Sequence, residues 1–301
     1  MNTSPVSGPH THGGGSITRT MLLVAAALAP GLLFGVWQFG WPALFLLLVT
    51  VASALLFEAA CLRIAGRPVD RFLGDGSALL TALLLAVSLP PWAPWWIGVV
   101  GAAIAVVVGK QVFGGIGQNV FNPAMLARVA LLISFPLQMT TWVAPRPFTA
   151  EGAPGFLEGL RITFGQQPVP DALTGATVLG HTKTGFTQGH GLSETLAGSY
   201  THDDAALGLM AGSLGETAAL LLLAGGVFLL ALRVITWHIP VAMLAAVALL
   251  ATLFNLIDPE RYLDAGAHLL SGGLMLGAFF IATDPVTSPS SRAGQLVFGA
   301  G

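Results

Sequence analysis

Charge is scarce in this sequence: 12 Lys and Arg and 14 Asp and Glu stand among 301 residues, 9% of the chain. A soluble domain carries about a quarter charged residues because water must solvate its surface, so a globule of this size could not be coated. Hydrophobic residues make up 54% and mean hydropathy is +0.78, which leaves lipid as the solvent for much of the surface. No sign of charge dominates either. A net charge of −2 offers no basic face for nucleic acid. The single cysteine, Cys61, excludes a disulfide framework and any multi-cysteine metal or iron–sulfur site within this chain. At the end of an apolar run it reads as packing.

Apolar runs are what the chain has instead, and a spanning helix needs roughly 20 such residues. After a Gly-, Ser- and Thr-rich start, residues 1–16, which reads as a flexible tail, Thr20–Phe39 and Pro42–Leu62 supply two spans joined by a tight Gly40–Trp41 turn. A connection with Arg63, Arg67 and Arg71 follows. Ser77–Leu89 is apolar but short and ends at Pro90–Pro91; Trp95–Gly109 is the next span, closed by Lys110; Ala124–Phe135 is another short helix, stopped by Pro136. Residues 137–212 form the only long polar section. Thr217–Arg233, Ile239–Leu256 and the Gly-rich His268–Thr283 complete the apolar stretches. With a cytoplasmic N-terminus, the inside connections collect Arg19, Arg63, Arg67, Arg71, Lys110 and Arg233, while the short turns at 40–41 and 90–94 have no Lys or Arg. The positive-inside rule then places the polar section outside the cytoplasm. The tryptophans at 92, 95 and 96 read as an interfacial belt.

Asp75 to Pro91 and His268 to Pro285 share a pattern, a short apolar helix that ends at proline. The expected fold is therefore an all-α polytopic membrane protein of two inverted repeats of about five helices each, with short broken helices. The first repeat covers residues 17–136, the section with Thr177 covers 137–212, and the second repeat covers 213–301 and is incomplete in this chain. Paired broken helices point to a binding site near the midplane.

Two motifs carry chemistry. Asp171-Ala-Leu-Thr174-Gly175-Ala176-Thr177 fits the D-x-x-[ST]-G-A-T acceptor pattern on which flavin transferases esterify FMN phosphate to the final threonine. The threonine offers the hydroxyl, Gly175 and Ala176 keep the approach open, and Asp171 orients the turn. Alternatively the segment is an ordinary polar turn. The second motif, Gly114-Gly-Ile-Gly117-Gln-Asn119-Val-Phe-Asn122-Pro123, brings a glycine-rich backbone to the start of a helix, whose N-terminal end favours anions. Arg128 lies inside that helix. An arginine at membrane depth needs an anionic partner or ligand. Gly117, Asn119, Asn122 and Arg128 are candidate ligand contacts. Glu58 reads as an interfacial residue beside Arg63, Glu216 as an acidic residue favouring a helix N-terminus, and Asp284-Pro285 as the end of a broken helix where a carboxylate could face a cation or a flavin ring. His10 and His12 have no metal-ligand spacing.

Gly76 to Pro91, Phe113 to Met125, Leu131 to Trp142, Thr174–Thr177, His268 to Pro285 and Gly294–Gly301 together resemble the RnfD family of the Rnf electron-transport complex, related to the NqrB component of the sodium-translocating NADH:quinone reductase. The resemblance runs from about residue 15 to the end; Thr174, where the family often has Ser, and Val178, where it often has Pro, leave the acceptor hydroxyl in place. It implies a redox relay between ferredoxin and NAD⁺ coupled to Na⁺ or H⁺ movement. It further implies covalent FMN at Thr177, non-covalent riboflavin among the helices, and an inner-membrane setting. The implied partners are the other Rnf components (RnfA, RnfB, RnfC, RnfE and RnfG), a flavin transferase and membrane lipid. The quinone-reductase component NqrB is one alternative and a urea-channel-like transporter, from a different class, is another.

Overall fold

The computed structural model describes residues 17–165, 177–196 and 200–301. Among them the chain is helical, without a strand. The tail, residues 1–16, lies outside these residues.

Helix α1, Ile17–Ile64, is two helices merged across a break at Gly40, whose φ of 75° and ψ of −156° are not helical. A positive φ of this kind suits glycine, which has no Cβ to clash, and Pro42 two residues on presets the φ of a new helix start. The arms fold back on each other. Met21 packs on Gly76, while Glu58 reaches the adjacent Ser77 through Lys110. Carbonyls orphaned at the break find partners elsewhere: Trp92 Nε1 donates to the Phe39 oxygen at 2.9 Å, and the Arg146 amide donates to the Gln38 oxygen at 2.9 Å. Trp92 is thus a buried cap, 4% exposed, and not part of an interfacial belt.

Short α2, Val69–Leu73, leads to α3, Ser77–Ser88, and α4, Trp95–Ala103, which continues as a π-helix over Ile104–Gln111. Helix α5, Pro123–Ser134, starts as the motif predicts: Asn122 caps it by accepting from the amides of Ala124 and Met125 at 3.1 and 3.3 Å. Pro136 does more than stop α5, because it opens α6, Pro136–Thr140. The polar section is not a plain loop either. It holds α7 (Phe156–Phe164), α8 (Val178–Thr187), α9 (Leu192–Leu196) and α10 (His202–Leu207).

In the last third come α11 (Ala219–Ala231) and α12 (His238–Ile257). The stretch expected as one helix over 268–283 is broken into α13 (Ala265–Leu270), α14 (Leu274–Leu276) and a π-helical turn, Gly277–Ile281. Gly272, with φ 66°, makes the break. Helix α15 spans Arg292–Ala300.

Among the described residues, only α1 and α12 are long and apolar enough by themselves to cross a bilayer. Helix α12 has a mean hydropathy of 2.2 over its most apolar window, yet just 17% of that window is buried. The core helix of a soluble protein would hide those side chains, so this face calls for lipid or an apolar partner. The core draws Phe39 and Leu46 from α1, Leu85 from α3, Leu131 from α5 and Leu222 and Leu229 from α11, all fully buried. Glycines bring these helices into contact, as small residues do where lipid supplies no hydrophobic drive. Gly31 of α1 packs on Leu222, Gly98 of α4 on Thr50, and Gly299 of α15 on Ile239.

The tightest approach predicts a sharp mutational contrast. A Cβ on Gly35 would lie 1.5 Å from the Leu214 carbonyl oxygen, whereas one on Gly155 would meet nothing within 4 Å. Gly35→Ala should destabilise the membrane domain by about 1–3 kcal/mol, as overpacking does. Gly155→Ala should stay within about 0.5 kcal/mol, as substitutions away from such contacts do. Thermal melts of the detergent-solubilised variants would show equal midpoints if the approach were loose.

Candidate functional site

Thr177 precedes α8 and caps it, its Oγ1 accepting from the Gly180 amide at 3.2 Å. The cap places a half-buried hydroxyl at the positive end of a ten-residue helix, a position that favours an attached or bound anion. Thr177 also lines a cavity shared with Arg128, Trp142, Glu216 and Gly273. Asp171, Thr174, Gly175 and Ala176 lie outside the described residues.

Arg128 has the partner its depth requires. Its Nη1 donates to Glu216 Oε1 and its Nη2 lies 3.4 Å from Oε2. Ser213 Oγ donates to the same Oε2 at 2.7 Å. Glu216 is 6% exposed and sits three residues before α11, so its role is to hold the arginine, not to begin a helix. The pair links α5 to the approach of α11. Two backbone bonds tie the same approach to the end of α3, Leu214 N to Leu89 O and Gly215 N to Val87 O, both at 3.0 Å. Arg128 keeps 28% of its side chain exposed against 7% for Glu216, and it is the cation that lines the Thr177 cavity.

The other candidates fall elsewhere. Asn119 and Asn122 line a second cavity with Ser77, Lys110, Phe280 and Asp284. Asn122 is six residues from Arg128, roughly 9 Å along α5 at 1.5 Å per residue, so the two cavities meet different stretches of one helix. Asn122 Nδ2 approaches Asp284 Oδ2 at 3.5 Å, which brings the end of the second broken helix against the end of the glycine-rich motif, where α5 begins. Gly117 has φ 84° and shapes the loop without lining the cavity.

Glu58 is not an interfacial residue beside Arg63. It is 1% exposed and its Oε1 accepts from Lys110 Nζ at 2.7 Å. Lys110, read as closing the span at a cytoplasmic connection, is itself 3% exposed. The signal for both pairs was present in the sequence: four charged residues inside or bordering apolar runs must find each other. Among the described residues no cluster of His, Cys, Asp and Glu could hold a metal ion.

Residues 5–301 match the family described as NQR2, RnfD, RnfE. The D subunit of the ion-translocating oxidoreductase complex of Halorhodospira halophila is 57% identical over 296 residues, which cover 98% of this chain and 83% of that protein. Its counterpart in Stutzerimonas stutzeri is 59% identical over 286 residues, 95% of this chain and 80% of that protein. The Rhodobacter capsulatus counterpart is 50% identical over 297 residues, 99% and 82% of the two.

The Arg128–Glu216 pair predicts strong non-additivity. Arg128→Met strands a buried carboxylate and should cost several kcal/mol, roughly 3–5 for a fully buried pair and less here because the arginine is part-exposed. The double variant Arg128→Met/Glu216→Gln should recover much of that loss. Additive losses in a double-mutant cycle of thermal stability would show that the two side chains act independently.

Proposed function

The chain belongs to the NQR2, RnfD, RnfE family, and on that premise we propose that it is the membrane-embedded RnfD component of an Rnf-type ion-translocating oxidoreductase complex, with FMN esterified to Thr177. Identities of 50–59% to the D subunits of such complexes over 95–99% of the chain carry the assignment of the complex and favour it over the quinone-reductase component. The observation that carries the flavin is the placement of Thr177, a helix cap that lines the cavity shared with Arg128 and Trp142.

The residues present fit such a group. A phosphodiester on Thr177 Oγ1 would lie against the free amides of the first turn of α8, where a helix end favours negative charge. Arg128, exposed to the same cavity, adds a cation whose own position Glu216 and Ser213 fix. Trp142, also lining the cavity, gives an aromatic surface for a ring. When bound, the flavin supplies one- and two-electron redox chemistry; this chain holds it, excludes water around it and sets the charge near it.

The second cavity is the place we assign to non-covalent riboflavin, on the apolar side chains of Phe279 and Phe280 and the amides of Asn119 and Asn122. Two inverted repeats also remain part of this reading. In its support, the second arm of α1 packs on Gly98 of α4 much as α12 packs on Gly299 of α15. The proposed orientation keeps the N-terminus in the cytoplasm and Thr177 outside, with the other Rnf components around the lipid-facing and polar surfaces, in the bacterial inner membrane. Electrons would pass between ferredoxin and NAD⁺ through the complex, coupled to Na⁺ or H⁺ movement, and a flavin transferase would attach the FMN.

Protein from cells with active flavin transferase should give a fluorescent band after SDS electrophoresis. Thr177→Ala should abolish that fluorescence, and Thr177→Ser should retain part of it because the hydroxyl remains. A dark wild-type band, or a Thr177→Ala band as bright as wild type, removes the covalent flavin from this residue.

A further inference from the structure

Phe156-Leu-Glu-Gly159-Leu-Arg161-Ile-Thr-Phe164, helix α7, is an apolar island in the polar section. It lies where α1 turns between its two arms. Gly159 seats it there, since a Cβ at that position would stand 2.7 Å from Trp41 Cβ and 3.3 and 3.4 Å from Phe45 and Pro42. Ring contacts fix the same placement. Phe156 meets Trp41 and Phe45 edge-on, with centroids 5.1 and 5.4 Å apart. Phe164 lies 6.3 Å from Phe45 and 6.4 Å from Trp95. Each arm of α1 is apolar and long enough to cross the bilayer, so the turn between them stands at a membrane boundary, and α7 stands there with it.

The sides of α7 differ in kind. Gly159 and Thr163, one turn apart, are buried, and Ile162 packs against the main core. Glu158 and Arg161 are exposed. Leu157, Leu160 and Phe164 have the i, i+3, i+7 spacing of a single stripe, and Leu157 is 68% exposed. Phe156 and Phe164 are exposed with it. A helix facing water sets its polar side directly against its packed side all round. On one flank of α7 an uncovered apolar stripe comes between the two, with Arg161 at its far edge, one turn from Leu157. Phe148 extends the pattern. Its amide donates to the Trp37 carbonyl, its ring meets Trp41 edge-on at 5.3 Å, and both Phe148 and Trp37 are exposed. Aromatic side chains gathered at one level mark the boundary between acyl chains and water.

We propose that α7 is an interfacial anchor whose partner is phospholipid: Leu157 and Phe164 lie among the acyl chains, and the Arg161 guanidinium reaches the headgroup phosphates. The order of its sides is that of a helix lying in the membrane plane. Its packed side rests on the protein, its apolar stripe faces the chains, and its charges face outward. Arginine's long stem follows the apolar stripe while its charged head stays in the polar layer. Charge favours lipid over a second protein at this stripe. A zwitterionic headgroup brings a phosphate for Arg161 and an ammonium for Glu158, so both signs are matched by one small molecule. The chain reaches Thr177 soon after α7 ends, and the anchor thereby holds one end of the acceptor segment at the bilayer surface. That consequence rests on the flavin reading above; the anchor itself does not.

The test uses the full chain in nanodiscs of phosphatidylethanolamine and phosphatidylglycerol, with Cys61→Ala removing its single cysteine. A nitroxide is attached in turn through Leu157→Cys, Phe164→Cys and Glu158→Cys. Collisions with dissolved oxygen, which concentrates among acyl chains, should exceed those with a water-soluble nickel chelate several-fold at 157 and 164. At 158 the preference should reverse. Nickel preferred at all three positions overturns the proposal, because the stripe then faces water. Positions 157 and 164 closed to both reagents overturn it too, because the stripe is then packed within the protein. A photoreactive benzophenone amino acid in place of Leu157 carries the test into the intact complex in native membranes and serves equally if the labelled variants fold poorly. Irradiation should yield this chain with a phospholipid mass added. A cross-link to another subunit in place of the lipid adduct overturns the proposal in favour of a protein partner. Neither readout involves flavin, so a dark band in the Thr177 experiment leaves this result standing.

Discussion

A charge without water must have a partner, and the Arg128–Glu216 pair is where this requirement shapes the molecule most. Glu216 stands in the turn before α11, Arg128 inside α5, and 88 residues separate them. Neither tolerates burial alone, so the segment before α11 must return to α5. Once it does, Leu214 and Gly215 bond the carbonyls left unpaired at the end of α3. Gly35 then gives α1 room against the Leu214 carbonyl. The Thr177 cavity is the space remaining beside that junction, and it faces a cation whose position the junction fixes.

Broken helices are the other half of the design. A break inside an apolar domain exposes amides and carbonyls that lipid cannot satisfy, so each one here is met by a neighbour or by a cavity. The break at Gly40 is met by Trp92 and by residues 146–148. The start of α5 is met by Asn122, which also reaches toward Asp284 at the end of the second broken helix. Polar groups therefore collect where helices stop, and both cavities lie at such places. The same argument explains why α8 begins where it does: Thr177 satisfies one orphan amide itself.

Much of this was legible from local signals. The limits of α3, α4, α5, α11 and α12 follow from apolar runs bounded by Gly and Pro, and the cap at Asn122-Pro123 follows from residue type alone. The turn at Gly40 was visible because only glycine takes that φ cheaply. What the sequence signalled without assigning were the partners across long separations. Glu58 lies near Arg63 in the chain, and the nearby arginine drew attention from Lys110, 52 residues away. Trp92 looked interfacial because its neighbours Trp95 and Trp96 did, but its indole had a carbonyl to satisfy. The break at Gly272 was hidden in a stretch of apolar residues whose composition alone reads as one helix. The acceptor motif splits in the same way. Thr177 has a place and a partner, while residues 171–176 lie outside those described.

The two buried ion pairs also illustrate why the identity of the cation matters. Guanidinium is planar and offers several donors in a fixed fork, so it saturates a carboxylate and stays put. At Glu216 that suits a group whose task is to set geometry beside Thr177. Ammonium offers one compact charge, and at Glu58 it leaves an oxygen unused in a place where unused oxygens are expensive. A lysine in place of an arginine, a serine aligned to share the charge, and a cavity within reach of the stem are separate facts about separate residues. Together they leave the Glu58 carboxylate half-engaged, whereas Arg128 and Ser213 between them engage both oxygens of Glu216.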